Sequence, residues 1–332
     1  MIKRLKQFYV SFFNWLVSGV APADLDDVLI IRVDQLGDFI LWLDSAKEYR
    51  KIYHGKKLTL LVNANWYDLA KSLPYWDDVV PLDTIKFRIN PWYRFNFLLF
   101  IRKKGFEIVV CPRHFVKRTL EPAIVAISGA TQKIVCEGSF PIEKENYFTR
   151  SIFMTHNCHE LTRNADFIRA LGRNHFKSTV PIIHIQNKLP RSLCREIVIC
   201  PGSFRKRKEW PLYRFIKLMH LLYGESIIVC NDKPIKGLPS HVHNLTGMTE
   251  LNEFIEIISN AKLVIANDSA SIHLAAAFDV PSVCIGAESL GRFTPYDIEK
   301  PRDGMVLPRL IYKQNVKDIT VDDVWEIVKR MI

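Results

Sequence analysis

Short apolar runs alternate with amphipathic helical stretches along the chain, and this alternation constrains the fold more than any other feature. Runs of strand length fall at 28–33, 58–62, 107–111, 196–200, 226–230, 263–266 and 281–285. Unbroken Val/Ile/Leu strands separated by helices belong to parallel sheets buried on both faces, since each crossover carries a helix back over the sheet. The runs form two sets. Between them lie a helical pattern at about 160–171, with Gly172 as its stop, and the proline-bearing connector "VPIIHIQNKLPRS". With 332 residues, 48% of them hydrophobic, the chain can fill two cores. We therefore expect an α/β protein with a helical segment over 1–25 and two doubly wound domains over 26–185 and 186–332. Such sheets bind ligands beyond the carboxyl ends of their strands. An interdomain cleft, with motifs just after strands, is the expected consequence.

Three motifs lie there. In "VLIIRVDQLGDFILWLDSAKEYRK" the strand at 28–33 runs into Arg32, Asp34, a turn at Gly37 and then Asp38. A carboxylate at this turn would point into the cleft, where the helix N-terminus favours its ionised form. The same aspartate also suits an N-cap, and the stretch by itself leaves capping and catalysis open. In "IVICPGSFRKRKEWP" a strand ends at Cys200 and Pro201-Gly202-Ser203 make a turn. Four consecutive cations, Arg205 to Lys208, precede Trp210 and Pro211, the latter expected at the first position of the next helix. A lysine and a hydroxyl at a strand end suit a diphosphate; a solvated basic loop is the simpler use of the same residues. In "AKLVIANDSASIHLAAAFDVPSVCIG" the strand at 263–266 ends in Asn267-Asp268-Ser269, and a helix of small residues follows. Its free first-turn amides form an anion site. Ser269 is placed to cap that helix and touch a phosphate. His273 lies one turn in, although a lone histidine is as readily structural.

Composition bounds the partners. The formal charge of +11 favours anions such as nucleotides, phosphorylated lipids or an acidic membrane face. Nucleic acid is not expected, because the cations occupy one loop without an aromatic stacking platform. Arg113, His114, Lys117 and Arg118, after the strand at 107–111, are candidate contacts for an anionic acceptor, or a solvated basic surface. Seven scattered cysteines with no C-x-x-C pair read as free thiols and suggest the cytoplasm. "HNCHE" at 156–160 offers His156, Cys158, His159 and Glu160, but near-adjacent residues do not easily converge on one ion, and no metal is expected. At the N-terminus, Lys3, Arg4 and Lys6 before "FYVSFFNWLVSGV" and "APA" imitate a signal peptide. Ser11 and Asn14 interrupt its apolar stretch, whereas Leu5, Phe8, Tyr9, Phe12, Leu16 and Val20 fall at helical spacing. That pattern suits an amphipathic helix on a core or a membrane surface, too short to span a bilayer. Neither G-x-G-x-x-G nor a Walker loop follows a strand, which argues against a dinucleotide oxidoreductase or a P-loop kinase.

Taken together, "IIRVDQLGDFIL", "PGSFRKRKEWP" and "NDSASIHLAAAFDVPSVCIG" resemble, in order and separation, the motifs of bacterial glycosyltransferase family 9, the ADP-heptose:lipopolysaccharide heptosyltransferases. Weaker similarity runs through "HELTRNADFIRALG" and "LTGMTELNEFIEIISNAKLVIAND". The resemblance implies a GT-B fold, two Rossmann-like domains about a cleft, with the acceptor bound mainly by the first and the nucleotide sugar by the second. It implies an inverting, metal-independent transfer from ADP-heptose, without a cofactor, to an anionic glycolipid of the lipopolysaccharide core. The family's catalytic aspartate falls on Asp38. Its phosphate-binding lysine falls on Lys208, the hydroxyl after Pro-Gly on Ser203, and further donor-binding positions on Asp268, Ser269 and His273. The carboxylate that holds the ribose would be Asp232, with Met248 near the base. Where the family usually has glycine after Asp-Ser/Thr, this chain has Ala270, which places a methyl group beside the expected phosphate.

These features carry several expectations. The protein is a cytoplasmic enzyme, peripheral on the inner face of the cytoplasmic membrane if the N-terminal helix holds it there. Other readings are a GT-B transferase using a different nucleotide sugar for a surface glycan, a sugar-nucleotide epimerase, and a non-catalytic nucleotide-binding scaffold.

Overall fold

The computed structural model describes residues 15–23, 27–113, 120–138, 147–155, 158–184, 189–287 and 308–332. The chain divides into two compact units: Met1–Gln35, Ser45–His156 and Arg163–Lys177 form the first, and Leu36–Asp44, Asn157–Thr162 and Ser178–Ile332 the second. Each is built on a six-stranded parallel sheet.

The first sheet contains β1 (Val28–Arg32), β2 (Leu58–Asn63), β3 (Asp78–Leu82), β4 (Ile108–Cys111), β5 (Gln132–Cys136) and β6 (Arg150–Ile152). Its order is β3-β2-β1-β4-β5-β6. The second contains β7 (Ile197–Cys200), β8 (Ile227–Val229), β9 (His243–Asn244), β10 (Leu263–Asn267), β11 (Ser282–Ala287) and β12 (Arg309–Lys313), in the order β12-β11-β10-β7-β8-β9. Both follow one plan: the chain starts in mid-sheet, builds three strands to one edge, then crosses over and builds three to the other. The fold is therefore α/β with two Rossmann-like doubly wound sheets, whose switch points lie between β1 and β4 and between β7 and β10. The central strands are continuous apolar runs because helices cover both faces; β1, β2, β7 and β10 are buried at every position.

The longer helices are α1 (Leu36–Ala46), α2 (Pro91–Lys104), α3 (Glu121–Ile127), α4 (Glu160–Ala170), α5 (Leu212–Leu221), α6 (Leu251–Ser259), α7 (Ala270–Ala277) and α8 (Val321–Val328). A helix apolar all round belongs in a core, and every residue of α7 from Ser271 to Ala277 is buried. Its end is a Schellman turn: Val280 N–H donates to Ala275 O at 2.7 Å and Asp279 N–H to Ala276 O at 3.1 Å. Asp279 takes the left-handed conformation at the turn, φ 57°. In the second core Trp210 is buried edge-on to Phe215 with ring centroids 4.8 Å apart, and its indole N–H donates to Ile319 O at 2.8 Å.

Of the expected N-terminal helix, residues 1–14, and with them Leu5, Phe8, Tyr9 and Phe12, lie outside the described residues. Within 15–23 the packing face differs from the expected stripe. Val17 is fully buried in the first core, whereas Leu16 is 40% exposed. The Arg102 side chain fastens this segment, donating from Nε to Val20 O at 2.7 Å. Among the described residues no helix is long and apolar enough to cross a membrane.

Candidate functional site

The second sheet places its two central loops side by side. After β7, Pro201-Gly202-Ser203 leads into a single 3-10 turn, Lys206–Lys208, and after β10 the chain passes through Asp268 and Ser269 into α7. Asn267 ties the two together. Its Oδ1 accepts the Trp210 N–H at 2.9 Å and its Nδ2 donates to Pro201 O. Asn267 is wholly buried, and it is a residue that the sequence motifs contained without marking.

On this frame Lys208 Nζ forms an ion pair with Asp268, whose side chain is nearly buried. Ser203 Oγ donates to the Asp268 carbonyl at 3.5 Å, and Ser203 N–H donates to Glu209 Oε1 at 3.4 Å. Lys208, Ser203 and Asp268 thus form one cluster. Arg205, Lys206 and Arg207 instead face solvent. Pro211 differs from expectation: it is the N-cap residue of α5, with ψ 130°, and the helix begins at Leu212.

Ser269 occupies the N-cap of α7, as expected, but makes no capping hydrogen bond; its Oγ donates to Ser271 Oγ at 3.2 Å. The Ser269 hydroxyl therefore covers none of the first-turn amides of α7; Ile272 N–H donates to the Ser269 carbonyl at 3.2 Å, and the amides of Ala270 and Ser271 precede it. One turn in, His273 is 5% exposed. Burial pushes its imidazole down to about 4, the Asp268 carboxylate working in the opposite direction and His159 and Lys208 reinforcing the fall. At neutral pH the ring is uncharged, and it offers one donor and one acceptor rather than a positive charge.

The first turn of α1 packs on the first turn of α7 within the second unit. A Cβ built on Gly37 would lie 2.9 Å from His273 Cδ2, 3.5 Å from its Nε2 and 3.8 Å from the Ala270 Cα. Asp38 is the next residue, half-buried at the third position of α1. The N-cap of α1 is Gln35, so the capping alternative for Asp38 gives way. Ala270, where the family pattern has glycine, meets a glycine across this contact.

Two further expected donor residues lie in the loops after β8 and β9. Asp232 and Met248 are both exposed, Met248 at 71%. The neighbour of Asp232, Asn231, is the side chain that engages the loop after β7: a Cβ on Gly202 would meet its Oδ1 at 2.0 Å. The Asn231 carbonyl accepts Gly247 N–H at 2.7 Å and its Nδ2 donates to Lys233 O at 2.7 Å. Asn231 lines a groove of about 460 Å³ with Pro201, Gly202, Lys206, Glu209, Trp210 and Ile235 among its walls.

In the first unit, the residues after β1 and β4 form a buried ionic network. Arg32 Nε lies 2.5 Å from Asp34 Oδ2, Arg113 Nε lies 2.7 Å from Asp34 Oδ1, and Arg113 also pairs with Glu121. Burial works against the charge of Arg113, and the two carboxylates more than offset it, so its proton is held well above the ordinary range. Arg113, expected as an acceptor contact, is thus engaged in this network; His114, Lys117 and Arg118 lie outside the described residues. All seven cysteines are free. Among the described residues no group of three or more His, Cys, Asp or Glu side chains is disposed to hold a metal ion.

Comparison with known proteins matches residues 186–301 to glycosyltransferase family 9 (heptosyltransferase). Lipooligosaccharide heptosyltransferase 2 of Haemophilus influenzae is 32% identical over 114 residues, 30% of this chain and 33% of that protein. Lipopolysaccharide heptosyltransferase 2 of Salmonella typhimurium is 32% identical over a stretch of the same length. The chain thus spans about one third of the curated relatives it matches. Similarity of fold extends further. The crystal structure of a family 9 glycosyl transferase from Veillonella parvula superposes with a TM-score of 0.76, covering 93% of this chain and 97% of that one at 15% identity. An E. coli heptosyltransferase solved with ADP gives 0.71, covering 92% and 100% at 16% identity. The matched stretch, which carries the Lys208, Asp268 and His273 motifs, is similar to glycosyltransferase family 9.

Proposed function

We propose that the protein is an inverting glycosyltransferase that moves a heptosyl group from ADP-heptose to an anionic inner-core acceptor of lipopolysaccharide, without a metal or other cofactor. The observation that carries this reading is the packing of the Gly37-Asp38 turn against the first turn of α7, beside the Lys208–Asp268 pair. In this reading the free amides of α7 receive the diphosphate. Lys208 offsets the Asp268 charge, which would otherwise repel it, and Ser203 adds a hydroxyl donor. Asp38 takes the proton from the acceptor hydroxyl as its oxygen attacks the anomeric carbon; the bond from that carbon to the diphosphate oxygen breaks, and ADP leaves with the electron pair. Neutral His273 orients the donor by hydrogen bonding. Heptosyltransferase relatives and the ADP-bound E. coli structure support the choice of donor. The exposed cations of the chain suit a phosphorylated acceptor.

General-base assistance contributes about 10² to 10⁴ in rate. Asp38→Ala should therefore lower kcat by about that factor while leaving ADP affinity within twofold of the original. Near wild-type turnover would remove Asp38 from the mechanism. The methyl of Ala270 favours one second reading, the same chemistry with a different nucleotide sugar, and a panel of donors distinguishes it.

A further inference from the structure

We infer that the corner formed by the short helix Thr84–Ile89 and the start of α2 is a docking surface for an anionic lipid membrane. Three large apolar side chains stand out of the first unit there: Ile85 at 58%, Ile89 at 66% and Trp92 at 65% exposure. Their placement follows from the helix period. Ile85 and Ile89 are one turn apart and share a face, while Thr84 and Phe87 are buried on the opposite side. Lys86 and Arg88, both exposed, fall at about 80° to either side of the isoleucine ridge at 100° per residue. Asn90 then caps α2 through hydrogen bonds from Trp92 and Tyr93 N–H, both 3.0 Å, which fixes Trp92 in the first turn beside the ridge.

An apolar ridge between two long cations, with an indole next to it, is the arrangement that lets a helix sink into the headgroup boundary while its charges reach lipid phosphates. Charge selects the occupant. The ridge is flanked by the exposed Lys86 and Arg88, and no acidic residue falls from Thr84 to Lys104, so a second copy of this surface would be repelled and an anionic one attracted. Lys86 also lies 3.4 Å from Asp83, but an exposed pair of this kind contributes little and leaves the ammonium accessible. The surface lies outside the candidate site, and the inference does not depend on the reaction assigned above.

The test is sedimentation of the full chain with vesicles of phosphatidylcholine alone and of phosphatidylcholine with phosphatidylglycerol, over a salt series. The wild-type chain should partition onto the anionic vesicles and little onto the neutral ones. Lys86→Gln with Arg88→Gln should lower that partition by about 25-fold, as each cation near an anionic surface is worth roughly five-fold, and should flatten the salt dependence. Ile89→Ser with Trp92→Ser should lower it at every salt concentration. Circular dichroism of each variant verifies the fold. Wild-type chain that stays in the supernatant, equal partition onto neutral vesicles, or variants that still bind would overturn the inference. So would a lipid-free dimer abolished by the same substitutions, which would make this face a contact between copies.

Discussion

Gly37 shows how one missing methyl sets the geometry of the site. A Cβ there would stand 2.9 Å from a ring carbon of buried His273, so either the imidazole or the first turn of α1 would have to move. Alanine in place of glycine inside a helix ordinarily stabilises by about 1 kcal/mol. Here the crowding reverses the sign: Gly37→Ala should destabilise by roughly 1–3 kcal/mol in urea unfolding, and a stabilised variant would show that the two turns do not pack as described. His273 supplies a second test. Its folded value, about 4, lies below the ordinary 6.5, so the unfolded chain binds its proton more readily. Stability from this group is fully present above pH 6.5 and is lost as pH falls toward 4, a loss on the order of 3 kcal/mol. His273→Gln should remove that part of the acid limb of a stability-against-pH profile; an unchanged limb would contradict the burial of a neutral ring. These two residues were only half legible in the sequence. Motif position singled out His273, and the turn singled out Gly37, but their contact joins residues more than two hundred positions apart, which no local pattern carries.

At the scale of elements, the buried network after β1 and β4 invites the sharpest prediction. Glu121 is wholly buried and paired with Arg113, which also holds Asp34. Glu121→Ala should cost about 3–5 kcal/mol, because it leaves a buried guanidinium short of a partner; a loss below 1 kcal/mol in chemical unfolding would mean the network is solvated. The seven apolar runs all became strands, because a strand covered on both faces must be apolar throughout. The five strands that the pattern did not reveal are different in kind. β3, β6, β9 and β12 are sheet edges, where one side has no neighbour and the sequence need not be apolar; β3 even holds Pro81, tolerated at an edge. β5 begins with exposed Gln132 and half-buried Lys133, which breaks its apolar run. The basic loop divides for the same reason of context: Lys208 turns inward to Asp268 while its three predecessors face water. Asp232 and Met248 rest on likeness of motif alone; they lie in the loops after β8 and β9, the second beside Gly247 at φ 72°, and both are exposed.

For the whole molecule, two sheets with one strand order and a net charge of +11 make a coherent physical picture. Each sheet offers a switch point, and the second is lined by Ser203, Lys208, Asp268 and the N-terminus of α7. By the function proposed above, this second switch point holds a nucleoside diphosphate. Calorimetric titration of the protein with ADP, UDP and GDP in the presence of a chelator tests it most directly, with Lys208→Ala beside the wild-type chain. Binding selective for ADP, undiminished by the chelator and weakened about tenfold or more by loss of the charge-assisted contact, is expected. No binding of any of the three, or binding that Lys208→Ala leaves unchanged, would contradict it.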